Sequence, residues 1–251
     1  MNFDGQIASL DVGLFSAIPT ATTTGDQKSL LQLQRFVRDM GSYVYLEIGS
    51  HFGGTLQQHL VDDRCRLIYS IDKRPLVQPD ELRGSADYPG NSTERMLNGL
   101  RKAFPQSSLD KLKTFECDAS EIDERQILEK ADFSFIDAEH TKRAVYSDFE
   151  FCLRVCHSNG IIALHDANII YGGLGKIKRM LGTSVWKGYV LPDSVYAFLR
   201  NDAVSKLDAQ LREIARNEGS YMIAARWGML KATVGHRFPG LRKIWRKMKR
   251  F

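Results

Sequence analysis

The sequence predicts an α/β protein with a doubly wound, seven-stranded sheet that is mostly parallel and ends in an antiparallel hairpin. Three observations support this fold class. Short apolar runs alternate with helical stretches along the chain, as in βαβ units. Several runs end on an acidic residue, where ligands bind in open α/β sheets. The last two runs, 185–191 and 195–200, are joined by a three-residue turn and must pair antiparallel.

The first predicted strand, Tyr43–Ile48, is followed by a glycine-rich turn that the rest of the sheet is arranged around. Glu47 lies near the end of the strand, and Gly49, Gly53 and Gly54 precede a helix that begins near Thr55. Glycines let the backbone approach a ligand closely, and the helix N-terminus adds unpaired N–H donors. The spacing Glu-x-Gly-x-x-x-Gly-x-Thr differs from the G-x-G-x-x-G fingerprint of dinucleotide-binding turns.

The elements around this strand follow in order. Residues 1–26 are expected to form an extended lead-in or an irregular cap. Asp26 is interpreted as the N-cap of a helix that runs through Asp39 and is stopped by Gly41. After the helix Thr55–Val61, a second strand, Arg66–Ile71, ends on Asp72.

The connection over residues 73–91 is long and rich in Pro and Gly. Such segments in compact domains are functional lids or disordered stretches, and its exit from the sheet edge favours a lid or substrate loop. A helix over Ser92–Phe104 follows. The third strand, Lys113–Cys117, ends on Asp118-Ala119-Ser120, where Ser120 could instead be an N-cap with Asp123 at the third helical position.

Two neighbouring strands each end in an acid and a histidine. Ala131–Ile136 continues into Asp137-Ala-Glu-His140, and Gly160–Leu164 continues into His165-Asp166-Ala-Asn168. The carboxyl ends of parallel strands share one edge of the sheet, so these side chains are expected to meet there. The terminal hairpin is then followed by a helix from about Asp202 to Asn217.

Taken in order, the glycine turn, the acid after the second strand and the "IDxxH … HD" pair resemble class I S-adenosylmethionine (SAM)-dependent methyltransferases. The likeness covers residues 43–168 and is closest to sugar O-methyltransferases of the macrocin type and relatives of cephalosporin-tailoring proteins. It implies the Rossmann-like methyltransferase fold and SAM as cofactor. The cofactor-binding positions that it implies are Glu47, Gly49, Ser50, His51, Gly53, Thr55, Asp72, Asp118, Ala119, Ser120 and Asp137.

The expected reaction is methyl transfer to a hydroxyl, most simply that of a saccharide or glycoconjugate. A hydroxyl is a weak nucleophile and needs a base or a metal ion that lowers its pKa. His140 is the first candidate base and His165 the second, beside Asp137. The oxygen atoms of Asp137, Asp166 and Asn168 suit Mg²⁺ or another hard divalent cation.

Two other functions are weighed against this one. A catechol-type, metal-dependent O-methyltransferase of a small aromatic would carry an Asp-Asn pair after the fifth strand, but here Ala167 separates Asp166 from Asn168. A non-catalytic methyltransferase-like scaffold could bind nucleic acid through a basic tail. An acidic body argues against that second alternative.

Charge is divided unevenly along the 251 residues. The formal net charge is +5, yet no acid follows Glu218. The nine basic residues beyond it are Arg226, Lys231, Arg237, Arg242, Lys243, Arg246, Lys247, Lys249 and Arg250. Residues 1–218 therefore hold 26 basic against 30 acidic residues, a net charge of −4.

Residues 219–251 are accordingly separated from a methyltransferase domain over residues 27–218. Apolar residues recur every three or four positions after Pro239 and basic residues fill the gaps, which predicts an amphipathic helix. The helix would pack on the body or on another copy, or lie on an anionic membrane and bring the enzyme to a lipid-linked saccharide. Four cysteines without a C-x-x-C pair and no signal peptide indicate a cytoplasmic protein, peripheral to the inner face of the membrane if the tail binds lipid.

Overall fold

A seven-stranded sheet organises the structure, a computed structural model that describes residues 2–182, 185–200 and 205–237. The helices are α1 Phe3–Ala8, α2 Thr24–Met40, α3 Gln57–Leu60, α4 Thr93–Ala103, α5 Gln106–Leu109, α6 Lys142–Val155, α7 Tyr171–Leu181, α8 Ser205–Ile214 and α9 Glu218–Arg237. The strands are β1 Tyr43–Ile48, β2 Cys65–Ile71, β3 Val77–Asp80, β4 Gly84–Asp87, β5 Leu112–Phe115, β6 Ala131–Ile136, β7 Cys156–Leu164, β8 Trp186–Val190 and β9 Tyr196–Arg200.

The strand order is β5-β2-β1-β6-β7-β9-β8. Within this order the five strands from β5 to β7 are parallel, whereas β9 pairs antiparallel with both β7 and β8. Glu47 of β1 lies opposite Ser70 of β2 and Phe135 of β6, so the carboxyl ends of the central strands meet at one edge. The predicted fold class, including the terminal hairpin, is confirmed.

Strand β1 is buried along its whole length because helices cover both faces of the sheet. Its side chains alternate between two hydrophobic clusters. Tyr43 and Tyr45 join the cluster that contains α2, whereas Val44, Leu46 and Ile48 join the cluster that contains α6 and α7. Because successive side chains of a strand point to opposite faces, this alternation decides which helices each β1 side chain packs against.

The beginning of the chain forms a packed cap. Helix α1 and a helical turn over Val12–Phe15 bury Ile7 and Phe15 in the core, which corresponds to the cap alternative and not to an extended lead-in. Helix α2 begins earlier than predicted, with Thr23 as its N-cap. Asp26 is the third helical residue of a capping box, in which its carboxylate accepts the Thr23 backbone N–H.

The long connection after β2 is ordered as a β-hairpin of strands β3 and β4. Gln78 and Asp80 of β3 are buried, whereas Val77 is exposed, so one face of the hairpin lies against the sheet edge. Two other differences between the predicted and the observed elements are local. Helix α3 is a single turn rather than Thr55–Val61, and Asp118 caps the turn in which Ser120 was a candidate cap.

Within the described residues, no helix has the length and hydropathy needed to cross a membrane. The amphipathic helix predicted after Pro239 lies outside the described residues, so its contact with a membrane or another copy stays a prediction.

Candidate active site

A cavity of about 880 Å³ opens at the carboxyl edge of the sheet. Its walls come from the turn after β1, the hairpin β3–β4, the ends of β6 and β7, the segment before α2 and the start of α9. The side chains of the site residues that line it include His51, Thr55, Asp137, His140, His165, Asp166 and Asn168. The cavity therefore gathers the residues that the sequence pattern located after β1, β6 and β7.

The turn after β1 packs directly against the backbone after β6. Gly49 has φ +91°, and a Cβ atom on it would lie 2.0 Å from the carbonyl oxygen of Asp137, so only glycine fits. The next residues turn back toward β2, where the His51 N–H donates to Asp72 at 2.9 Å. The Nε2 atom of His51 is buried without a hydrogen-bond partner among the described residues, which leaves a polar atom in the cavity wall for a ligand.

Glu47 lies beneath this turn and does not line the cavity. Its fully buried carboxyl accepts hydrogen bonds from Tyr45 Oη at 2.6 Å and Thr55 Oγ1 at 2.8 Å. Burial raises the pKa of Glu47 to about 8, although both hydrogen bonds act in the opposite direction. Glu47 thus links β1 to Thr55, the residue that follows Gly54. Because the Glu47 side chain is buried, no exposed carboxylate is available for the cofactor contact predicted for it.

Asp72 closes the end of β2 and is buried. It accepts backbone N–H groups of His51 and Arg74, the latter at 2.7 Å, and lies 3.2 Å from the Arg74 guanidinium. Beside it a narrow cleft is lined by Asp118, Ala119, Glu139 and Asp148 among others. This is the place where the resemblance locates the ribose and the adenine.

Within the cleft, Lys73 Nζ lies 2.7 Å from Glu139 and 3.8 Å from Asp118. Asp118 also accepts the N–H and hydroxyl of Ser120. Asp148 of α6 is a residue that the sequence analysis missed. Burial, and then the nearby Asp118 and Glu139 charges, raise its pKa to about 7 despite the opposing effect of Lys73. Its helical position gives no strand-end signal that could have identified it.

Asp137, His140 and Asp166 converge at the cavity wall. One ligand atom from each of the three lies within 4.8 Å of the others. His140 Nε2 is 3.4 Å from Asp166 Oδ2, and His140 Nδ1 is 3.0 Å from Asp80 Oδ2 on the hairpin. Burial alone would raise the pKa of Asp80, but hydrogen bonds from His140 and from the backbone of Arg83 and Leu82 lower it below its ordinary value.

His165 is held between two carboxylates behind this trio. Its Nδ1 is 3.1 Å from Asp137 Oδ1 and its Nε2 is 3.2 Å from Asp26 Oδ2. Burial would lower the pKa of His165, but Asp137 and Asp26 raise it well above the ordinary value. Both ring nitrogens thus face carboxylates, and this arrangement favours the protonated ring over one with a free lone pair.

The donor set suits a divalent cation. Two carboxylates and one imidazole face a common point, and Asn168 is exposed on the cavity wall nearby. Oxygen ligands suit Mg²⁺ and Mn²⁺, and the imidazole can either add a nitrogen ligand or, left uncoordinated, accept a proton. Asp26 and Asp80, which orient the two histidines, were not identified from the sequence as site residues.

Residues 46–167 match a family model described as a methyltransferase domain. A search of curated proteins found no match. Among solved structures, the calicheamicin methyltransferase CalS11 is similar with a TM-score of 0.53 and 16% identity over 79% of this chain and 92% of that chain. The O-methyltransferase TomG from Streptomyces achromogenes, solved with SAM, gives 0.50 and 16% over 76% and 90%.

The methyltransferase MycE of the mycinamycin biosynthetic pathway was solved with Mg, SAH and mycinamycin VI. It is similar with a TM-score of 0.51 and 14% identity, over 78% of this chain but only 54% of MycE. At these identities the structural likeness shows a shared fold, and the family model matches the part of the chain that contains the glycine turn and both acid–histidine pairs.

Proposed function

We propose that this SAM-dependent methyltransferase transfers the methyl group to a hydroxyl oxygen of a saccharide or glycoconjugate. The observation that supports the proposal is the convergence of His140, Asp137 and Asp166 on the wall of a large cavity beside the Gly49 turn. Methyl transfer from a sulfonium is an in-line substitution, so the protein has to align the two reactants and activate the hydroxyl.

The cofactor is proposed to bind across the ends of β1 and β2. Asp72 would accept ribose hydroxyls, because a carboxylate is the best acceptor for two neighbouring donors. The adenine would lie at the mouth of the cleft beside Asp118, because the cleft itself holds only about 20 Å³. The methionine end would lie over the Gly49 turn, with the unpartnered Nε2 of His51 in reach of its polar groups. SAM, when bound there, supplies the electrophilic methyl group.

His140 is proposed as the general base. Its Nδ1–H donates to Asp80, so the tautomer that results leaves Nε2 as the proton acceptor. Nε2 lies at the cavity wall beside Asp166, and Asp80 stabilises the positive charge that the ring gains when it accepts the hydroxyl proton. His165, whose two ring nitrogens face Asp137 and Asp26, is proposed to keep Asp137 oriented rather than to act as the base.

Asp137 and Asp166 are proposed to hold Mg²⁺ or another divalent cation. Such an ion, when bound, lowers the pKa of a coordinated hydroxyl. The carboxylates stand beside the base, so the acceptor oxygen would be fixed between the cation site and Nε2 of His140. That MycE was solved with Mg and SAH supports this assignment for a protein of the same fold.

The cavity wall supports a polyhydroxylated acceptor. Short hydroxyl, carboxylate and guanidinium side chains supply many hydrogen-bonding groups, and Phe52 and Tyr88 add aromatic faces. The polar residues are Thr20, Thr23, Arg83, Ser85, Asp87, Asp193, Ser194 and Arg216. A small aromatic substrate would leave most of these groups, and most of the 880 Å³, without contact.

The test is transfer of tritium from methyl-labelled SAM to separate pools of saccharides, phenols and RNA. We expect label in the saccharide pool and a rate loss of about 10²–10⁴ in His140→Ala, the usual scale for loss of a general base. His157→Ala is the matched control, because His157 is an exposed histidine outside the cavity. Label in the phenol pool or the RNA pool alone would overturn the acceptor assignment.

A further inference from the structure

Arg74 is a buried cation that follows β2 by three residues, directly behind the proposed cofactor site. Its side chain is 3% exposed, and it lines neither the acceptor cavity nor the narrow cleft beside Asp72. A charge that is removed from water is costly unless nearby groups compensate for it. The groups that contact the Arg74 side chain therefore indicate its role.

The guanidinium joins the two segments on which the cofactor is proposed to lie. Its Nη1 lies 3.2 Å from Asp72 Oδ2 at the end of β2, and it donates to the backbone carbonyl of His51 in the glycine turn. The backbone N–H of Arg74 also donates to Asp72 Oδ1 at 2.7 Å. Because the His51 N–H donates to the same carboxylate, these three residues form one closed set of hydrogen bonds.

Further contacts hold the guanidinium from the start of α4. Nη1 donates to Asn91 Oδ1 at 3.1 Å, Nε donates to Thr93 Oγ1 at 3.3 Å, and Nη2 lies 3.1 Å from Met96 Sδ. Asn91 is fixed in turn, because its Nδ2 donates to the carbonyl of Pro75 at 3.3 Å. A planar guanidinium can serve acceptors in several directions at once, whereas an ammonium is a point charge on a flexible stem.

The backbone at both ends of the contact between Arg74 and His51 lies in the left-handed region. His51 has φ +45° and Arg74 has φ +54°, although neither residue is glycine. Such conformations cost free energy and persist only where the surroundings enforce them, which is common at functional sites. Here both residues donate their backbone N–H to Asp72, so the carboxylate and the two strained residues hold one another in place.

We propose that Arg74 is a positioning residue for SAM, which keeps the Asp72 carboxylate and the glycine turn in the arrangement that receives the cofactor. Arg74 does not itself touch the cofactor. Binding is tighter when the groups that receive a ligand are already in place, because less conformational entropy is lost on binding. The inference rests on the cofactor placement proposed above and adds the residue that holds this placement together.

Arg38 offers a matched control at a different place in the fold. Its side chain is 6% exposed, and its Nε lies 2.8 Å from the fully buried Asp62. This ion pair stands before the amino end of β2, whereas the cofactor is proposed to bind at the carboxyl end. Removal of Arg38 therefore breaks a buried ion pair of the same kind without disturbing Asp72 or the glycine turn.

The experiment is calorimetric titration of the full chain with SAH, together with urea unfolding of the same proteins. We expect Arg74→Ala to weaken SAH binding about tenfold to a hundredfold, the scale of hydrogen bonds to a charged group. Arg38→Ala should lose comparable stability but change SAH affinity less than about twofold, because effects at distant sites are independent.

Two readouts separate positioning from a general loss of structure. In the tritium-transfer assay Arg74→Ala should raise KM for SAM and leave kcat near the wild-type value, because Arg74 contacts neither His140 nor its partner Asp80. Millimolar guanidinium chloride, far below the concentrations that unfold proteins, should restore part of the SAH affinity of Arg74→Ala. The same concentration of sodium chloride should not, and Arg74→Lys should bind SAH less tightly than wild type.

Wild-type affinity for SAH in Arg74→Ala would overturn the inference, and so would an equal loss of affinity in Arg38→Ala. If Arg74→Ala does not fold, Arg74→Lys decides, and wild-type affinity in that variant would contradict the proposed role. Asp72→Ala separates the two levels. Unchanged SAH binding in Asp72→Ala contradicts the cofactor placement, whereas weaker binding there with unchanged binding in Arg74→Ala contradicts only the role of Arg74.

Discussion

Glu47→Gln tests whether the carboxyl beneath the glycine turn is neutral in the folded protein. The pKa of Glu47 is raised from 4.5 to about 8, mainly by burial, while the unfolded chain keeps the ordinary value. Between these two values the folded state binds more protons than the unfolded state. Stability is then fully present below pH 4.5 and is lost as the pH rises toward 8.

The magnitude follows from the shift. A tenfold change in an ionisation constant corresponds to about 1.4 kcal/mol, so the wild-type protein should lose about 3 kcal/mol of unfolding free energy between pH 5 and pH 8 through this residue. Glutamine has the same shape, accepts one hydroxyl hydrogen bond through its oxygen, donates to the other hydroxyl and does not ionise. The variant should lack this part of the pH dependence.

The assay is urea unfolding of both proteins at pH 5, 6, 7 and 8, followed by circular dichroism. The quantity to compare is the wild-type stability minus that of the variant, because contributions of other buried acids such as Asp148 are common to both proteins and cancel. We expect this difference to fall by about 3 kcal/mol from pH 5 to pH 8. A difference that does not change with pH would show that Glu47 is ionised in the folded protein and refute the reasoning.

Two further predictions concern the site and a third concerns the basic tail. Asp72→Ala should weaken SAH binding by about 1.5–3 kcal/mol in calorimetry, the scale of charge-assisted hydrogen bonds, whereas the surface change Asp110→Ala should not. Asp166→Asn should lower Mn²⁺ affinity in a paramagnetic resonance titration, and activity that survives EDTA unchanged would exclude the metal but leave His140 as base. The full chain should float with anionic vesicles at low salt better than a chain ending at Gly235; equal flotation would contradict the membrane role of the tail.

The sequence located the strand ends correctly because two independent patterns coincide there. Apolar runs set the strands, and acids mark where the strands stop, so Asp72, Asp137 and Asp166 could all be predicted near one sheet edge. The direction in which each side chain points was harder to predict. Glu47 precedes the end of β1 by one residue and shares a face with Tyr45. This alternation turns its side chain toward Tyr45 and Thr55, beneath the glycine turn, instead of into the cavity.

The partners of the two histidines could not be predicted, because tertiary packing brings them to the site. Asp26 belongs to the capping box of α2, and its position next to His165 depends on how that helix end docks beside Ser194. Asp80 lies in the connection after β2, where no periodic pattern indicated a hairpin. Local sequence rules describe a helix cap or a loop, but not which distant ring the carboxylate faces.

The hairpin β3–β4 is tied to His140 at two points. The parallel backbone bridge between Asp80 and His140 includes the hydrogen bond from the Glu81 N–H to the His140 carbonyl at 3.2 Å, and the side chains of Asp80 and His140 meet at 3.0 Å. Asp80 therefore lies in the connection after β2, whereas His140, the base that it orients, follows the core strand β6. An engineer who exchanged residues 77–87 to alter acceptor preference would also replace the group that sets the tautomer of the base. Substrate choice and proton transfer would have to be re-optimised together.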